Sequence, residues 1–344
     1  RGTDWWDQTI KPAAFHQNHT LSFQGGNDKI VYSGSLGYFK QDSQYDYGYW
    51  DRLTARFNTE YRFSKMVKFG LDLMPRWESW DDTPNFFSNA MAMDPTTPVF
   101  KAKDEWGTNP YNNYARAIHN QTWNPVADVA RRNKHTDEYG LLANPYISFE
   151  PVKGLVLRTQ FGVNGRFSIA DEFKPVFFID NLEKNDIAKA EREMKGIVDW
   201  SWTNTANYMK TFKEKHNLNV MAGYTMEKFG TYNIKGSREG IPSNYPDLQY
   251  VDAGTSNPQA EGTNKYVTLM SYLGRVMYNY DYRYYITASV RVDGSSKFPA
   301  GNKFATFPAL SAAWRISEES FMENQNIFDD LKLRAGWGRV GNQE

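Results

Sequence analysis

The chain has 344 residues, 40 basic against 40 acidic side chains, no cysteine and a mean hydropathy of -0.70. The balanced charge leaves no basic stripe to follow a phosphate backbone, so nucleic acid is not an expected partner; disulfides and thiolate sites are excluded; and no run approaches the roughly 18 apolar residues of a membrane-spanning helix. Aromatic residues make up 16% of the chain beside 25 Gly, a composition suited to strands, girdles or binding platforms.

Along the chain, period-two alternation recurs while helical spacing is scarce, so the predicted class is all-β. "TLSFQ" and "KIVYSGSLGYFKQ" flank Gly25, Gly26, Asn27 and Asp28, a hairpin turn. "RLTARFNTEYRF" puts Leu53, Ala55, Phe57, Tyr61 and Phe63 on one side. After a break near Ser64 and Lys65, Val67, Phe69, Leu71 and Leu73 alternate with Lys68, Gly70 and Asp72. The construction returns around Pro151 to Gly154, with Leu155, Leu157, Phe161 and Val163 set against Arg158 and Gln160. It returns around Lys213 to Lys215 and again around Asp281 to Arg283, where Ile286, Ala288, Val290 and Val292 alternate with Thr287, Ser289 and Arg291. "ALSAAWRI" and "LKLRAGWGRV" flank a polar connection from Ser317 to Asp330. This gives about twelve strands, each near the nine to eleven residues that cross a bilayer when tilted.

Short and long connections alternate. Short turns fall near residues 26, 65, 152, 214 and 282, and long connections span roughly 41–50, 78–138, 167–196, 229–265 and 293–307. In an up-and-down meander this gathers the short turns at one end and the long loops at the other, the asymmetry of an outer-membrane barrel. Alternation alone does not separate such a barrel from a soluble sandwich; the loop asymmetry and the aromatic excess favour the barrel. On that reading Leu331, Leu333, Ala335 and Trp337 face lipid, while Arg158, Arg291, Lys332 and Arg334 face the lumen. Trp5, Trp6, Trp50, Trp200, Trp202 and Trp314 read as interfacial anchors at strand ends rather than ligand contacts, and Trp200, Trp202, Trp314 and Trp337 are the membrane-interface set.

The loop from Trp77 to Glu138 is the first functional candidate, being too long for a simple connector. Its Trp77, Trp80, Trp106, Tyr111, Tyr114 and Trp123, with Asn109 and Asn112, suit contact with cargo or with a partner; packing within the loop is the blander reading of any one ring. "GIPSNYPDLQY", with Tyr245 and Tyr250, is a second candidate. "LEKNDIAKAEREMK", Leu182 to Lys195, reads as a charged, solvated loop helix. His16 and His19 would fall on opposite faces of a strand, so no metal site is assigned. The neighbours Asp81 and Asp82, and Asp329 and Asp330, read as solvated turns rather than acid–base partners. Asp293 and Gly294 lack the oxygen-donor pattern of a calcium loop. No nucleophile elbow, phosphate loop or zinc helix motif is present, so the sequence does not read as an enzyme and implies no cofactor.

Several ordered blocks carry a family resemblance: "GTDWWDQTI", "LSFQGGNDKIVYSGSLGYF", "EPVKGL", "HNLNVMAGY", "SYLGRVMYNYDYRYYITASVRVDGSSKF", "FPALSAAWRISEESFM" and "DDLKLRAGWGRVGNQ". Together, from Gly2 to Gln343, they resemble the barrel of SusC-like (RagA-like) TonB-dependent transporters of the Bacteroidota. The resemblance implies an interior section of a plugged barrel of roughly 22 strands, with the plug, the TonB-interacting segment and the barrel C-terminus outside residues 1–344. It implies location in the outer membrane and import of an oligosaccharide or peptide. The implied partners are a SusD-like surface lipoprotein, TonB–ExbB–ExbD through the N-terminal region, and outer-membrane lipid. The alternative reading is a soluble or surface-attached β-rich carbohydrate-binding module.

Overall fold

The computed structural model describes residues 2–82, 86–119, 121–323 and 327–342. Its framework is one antiparallel sheet of twelve strands, each bonded to the strands before and after it. In chain order these are β1 (His16–Gly26), β2 (Ile30–Asp42), β3 (Tyr49–Arg62), β4 (Val67–Asp81), β5 (Lys134–Val152) and β6 (Leu155–Lys174). The two-residue β7 (Phe177–Phe178) and β8 (Lys184–Asn185) pair only with each other. The sheet resumes with β9 (Lys189–Phe212), β10 (His216–Glu239), β11 (Ser256–Tyr280), β12 (Tyr284–Ser295), β13 (Phe304–Arg315) and β14 (Lys332–Gly338). Among the described residues, β1 and β14 are its free edges.

Direct partners in an antiparallel ladder share a face, so the register carries one face across the molecule. Leu21 lies opposite Leu36 and Leu36 opposite Ala55. Phe149 lies opposite Leu157, and the same row continues through Ala206, Ala222, Gly274, Val290 and Pro308. The other face carries Arg56, Asn58, Asp72, Asn144 and Arg158. Leu21, Leu36, Ile147, Val290 and Leu310 stand 44% to 66% exposed, each beside others like it. A soluble protein does not present an apolar surface of this extent to water. A sandwich would bury this face under a second sheet, yet among the described residues the buried apolar clusters are Trp5, Met93 and Ala117; Tyr45, Phe86 and Val129; and Phe173, Ala188, Ala190 and Ile241, all at the loop end. The apolar face is therefore the lipid-facing one.

The turns follow the sequence closely. Asn27 Oδ1 accepts from the amides of Lys29 and Ile30 at 2.9 and 3.0 Å, and Ser64 Oγ from those of Met66 and Val67 at 3.1 Å. Lys213 and Glu214, like Asp281 and Tyr282, adopt positive φ on consecutive residues, the backbone that matches strand twist in a tight hairpin. The pattern breaks at the last connection, 316–331, which is long although it lies at the short-turn end.

Strand length is the main departure from the sequence reading. β9 and β10 have 24 residues and β11 has 25, about 80 Å of strand at ~3.3 Å per residue, where a bilayer core of roughly 30 Å needs far less. The sheet therefore continues beyond the membrane. Most of the expected loops at 167–196 and 229–265 is strand, leaving connections at 175–188 and 240–255. The expected helix within Leu182 to Lys195 is absent, because from Lys189 onward alternating charges pair across strands. Arg192 forks onto Asp171 at 2.6 and 2.9 Å, Lys235 reaches Glu191 at 2.7 Å, and Asn233 donates to Glu193 at 2.8 Å. Charges alternating at i and i+2 serve a ladder as well as charges at i and i+4 serve a helix.

Gly154 closes the β5–β6 turn at φ +90°, and an added Cβ would lie 2.2 Å from the Met209 carbonyl oxygen. Gly154→Ala is expected to destabilise the barrel by about 1–3 kcal/mol, measured by urea unfolding of the full-length protein in lipid vesicles.

Candidate functional site at the loop end of the sheet

The connection after β4, residues 82–133, folds through two short helices, α1 (Phe87–Ala92) and α2 (Pro125–Arg131). Asn124 organises it. Fully buried, its Oδ1 caps α2 by accepting from the amides of Val126 and Ala127, while Nδ2 donates to the carbonyls of Val99 and Ala115. The preceding segment is tied in as well: Trp5 Nε1 donates to the Asp94 carbonyl at 2.8 Å and Thr3 Oγ1 to that of Thr97 at 2.7 Å. The hydroxyls of Thr96 and Thr97 hold the Asp94 carboxyl well below the usual carboxylate range.

A buried ion pair joins this loop to residues 175–188. Arg131 Nη1 sits 2.9 Å from Glu183 Oε1, with the Glu183 side chain wholly buried and that of Arg131 6% exposed. Arg131 Nη2 also donates to the Tyr111 carbonyl, and its guanidinium lies 3.7 Å from the centre of the Phe177 ring. Arg116 reaches Asp180 at 2.7 Å and stands 3.6 Å from Glu183 Oε2. Beside this cluster, Asp128 accepts from Asn89 Nδ2 at 3.1 Å; burial pushes its carboxyl up to about 6 against the pull of Arg131.

The sequence-predicted residues separate into three groups. Asn109 and Asn112 are tied into the loops, Asn109 Nδ2 donating to the Val176 carbonyl and Asn112 Oδ1 accepting from the Phe178 amide, both at 2.8 Å. Tyr111 supplies its carbonyl to Arg131, and the Tyr114 ring rests against Phe100 at 5.0 Å. Trp106, Trp123, Tyr245 and Tyr250 are exposed on the cluster, although Trp106 Nε1 donates to the Lys101 carbonyl at 3.0 Å and Trp123 meets Phe177 edge-on. Trp77 and Trp80 are not loop residues, because β4 continues to Asp81. They also point oppositely: Trp77 pairs with Leu53 on the apolar face, whereas Trp80 pairs with Trp50 on the polar one. Trp50 is thus no lipid anchor.

Arg158, Arg291, Lys332 and Arg334 all lie on the polar face by register, and Leu333, Ala335 and Trp337 on the apolar one. Leu331 precedes β14. Trp200 and Trp202 are not at a strand end but inside β9, and they lie on the apolar face with Phe161. Trp314 is at the short-turn end, its Nε1 donating to Glu319 at 3.0 Å. His16 and His19 fall on opposite faces of β1. Sequence reasoning missed Arg131 and Glu183, since nothing local signals a pair 52 positions apart. It also missed Trp50 on the polar face, which counting residues back from the 63–66 turn would have revealed.

A meander with an open apolar face, a polar reverse and folded loops at one end has clear counterparts among solved structures. The RagAB peptide transporter superposes with a TM-score of 0.83 at 22% identity, covering 98% of this chain and 38% of that one. The sheet is a section of an outer-membrane β-barrel wall. The ferripyoverdine receptor of the outer membrane of Pseudomonas aeruginosa shares the fold more loosely, at a TM-score of 0.52 and 12% identity over 88% of this chain and 39% of that one. Among curated relatives, TonB-dependent receptor P26 of Formosa agariphila is 28% identical over 99% of this chain and 34% of its own length. TonB-dependent receptor SusC of Bacteroides thetaiotaomicron is 28% identical over 99% of this chain and 35% of its own. The chain thus spans about a third of the length of the curated relatives it matches. No family model matches it. The resemblance to SusC-like and RagA-like barrels holds from one end of the sheet to the other.

Glu183→Ala strands the Arg131 charge in the loop cluster and is expected to cost about 3–5 kcal/mol of local stability, seen as faster hydrogen exchange in residues 125–131 and 175–188 of the full-length protein. The raised Asp128 carboxyl favours the folded cluster while protonated, and that advantage falls away as pH rises from near 4 through about 6. The ratio of exchange rates in residues 86–92, wild type over Asp128→Asn, should therefore be near one at pH 4 and climb several-fold by pH 7.

Proposed function

We propose that residues 1–344 are part of the barrel of an active importer of the outer membrane, taking up an oligosaccharide or a peptide. The observation that carries this reading is the apolar face, half exposed and continuous across the sheet, backed by a face of arginines, carboxylates and amides. Such a wall meets lipid outside and water inside. Arg158, Arg291, Lys332 and Arg334 line the lumen, and the folded loop cluster is extracellular. A plug and a TonB-interacting segment lie outside these residues, and through them TonB–ExbB–ExbD opens the path. The barrel binds and guides its cargo without covalent chemistry.

The loop cluster is the docking face for a SusD-like surface lipoprotein. Trp106, Trp123, Tyr245 and Tyr250 offer amphipathic rings on a scaffold made rigid by Asn124 and by the Arg131–Glu183 pair, the arrangement in which exposed aromatics anchor a partner. The name of one similar structure, a peptide transporter, supports a peptide, and the oligosaccharide rests on the resemblance to SusC-like barrels.

Native purification of the full-length parent tests this reading. Recovery from the outer-membrane fraction together with a surface lipoprotein is the expected result; recovery from the soluble fraction without one overturns it. A spin label at position 314 should report the depth of a membrane interface in vesicles, as expected for Trp314 and its neighbour Tyr284 at the short-turn end.

A further inference from the structure

On the polar face, just below the loops, a row of rings crosses the first four strands. His16 of β1 meets Phe39 of β2 edge-on at 5.1 Å between centroids, and Phe39 meets Trp50 of β3 at 5.2 Å. Trp80 of β4 is the direct partner of Trp50 across the ladder. The Arg52 guanidinium lies 5.2 Å from the centres of both Phe39 and Trp50, fixing these rings in place. A cavity of about 570 Å³ opens where Trp50 and Trp80 come together, its rim supplied by Gln41, Asp42, Ser43 and Glu78. Among the described residues, no second layer of protein lies over these four rings.

We propose that the Trp50–Trp80 cavity is a subsite for a neutral saccharide on the inner wall, the first station below the loops. The proposal rests on the transporter reading in taking the polar face for the lumen. Three observations select a neutral saccharide over a peptide or an anion. The cavity lies inside the sheet, where β3 is bonded on both sides, so no free strand edge is there to take up a peptide main chain. The rings offer flat apolar faces to the C–H face of a pyranose, while the carboxylates, the Gln41 amide and the Ser43 hydroxyl stand where equatorial hydroxyls would meet them. The lining carries three carboxylates, Asp42, Glu78 and Asp81, and no basic side chain, although Arg76 lies 3.4 Å from Glu78. An anionic ligand would meet like charge there.

The test uses the full-length parent purified in detergent, with maltohexaose, laminarihexaose and mannohexaose as probes and hexaalanine as the peptide control, read by titration calorimetry. At least one hexasaccharide should bind; Trp50→Ala and Trp80→Ala should each weaken it about tenfold, Trp80→Phe should restore most of the loss, and Glu78→Gln should weaken it a few-fold with the rings intact. Each variant is first checked for recovery from the outer membrane and for the heat-dependent gel mobility of a folded barrel. If an alanine variant fails to fold, Trp50→Phe and Glu78→Gln decide the matter. Binding unchanged across the variants, or binding of hexaalanine but of none of the hexasaccharides, or of no probe at all, would overturn the saccharide subsite while leaving the importer standing. Recovery of the parent from the soluble fraction would instead remove the importer reading beneath it.

Discussion

In hydrocarbon no water is available to take up a backbone N–H or C=O, so every such group must be paired within the protein. The structure depends on this constraint. The twelve strands of the sheet bond in chain order and so meet it everywhere except along the outer edges of β1 and β14, and the side chains are then forced to alternate between two faces that need not resemble each other. One face became aliphatic and aromatic and the other charged and amide-rich, because one meets lipid and the other water. The same constraint explains the absence of a conventional core between sheet layers. Such buried apolar clusters as the described residues contain gather at the loop end, where the chain leaves the membrane and must build its own interior.

That interior resembles a small globular protein more than a set of connectors. A capped helix, a wholly buried asparagine making four hydrogen bonds and an ion pair excluded from water all reduce the freedom of a surface whose outward rings are exposed. For the docking proposed above, so rigid a base keeps the entropy lost on binding small. The pair itself is not evidence of great stability, since desolvation offsets much of its attraction. What it does show is which part of residues 175–188 meets α2: Glu183 lies against Arg131.

The fold was largely legible in the sequence because period two, turn chemistry and alternating loop length are local signals. The hairpins at Asn27, Lys213 and Asp281 fall where their residues put them. The candidate site was legible only in part. Trp80 was singled out, but as a loop residue, and Trp50 was taken for a lipid anchor; each error followed from ending the strand too early. The charged stretch from Lys189 to Lys195 gave the opposite error, reading as a helix because its charges repeat, when the partners that fix it as strand are Asp171, Asn233 and Lys235 on its two neighbours.

What the sequence determined by itself was the class, the twelve strands of the main sheet, the position of each short turn and the parity of the residues it read as strand, since all of these follow from spacing along one segment. Only the tertiary structure decided how far the strands run beyond the bilayer, which loop asparagines are consumed in holding other loops, and that Phe39, Trp50 and Trp80 share the polar face. The physical reason is the same in each case. These features depend on partners supplied by other strands and loops, through cross-strand pairs, side-chain to backbone hydrogen bonds and ring contacts, and the register that brings such partners opposite one another is a property of the assembled sheet.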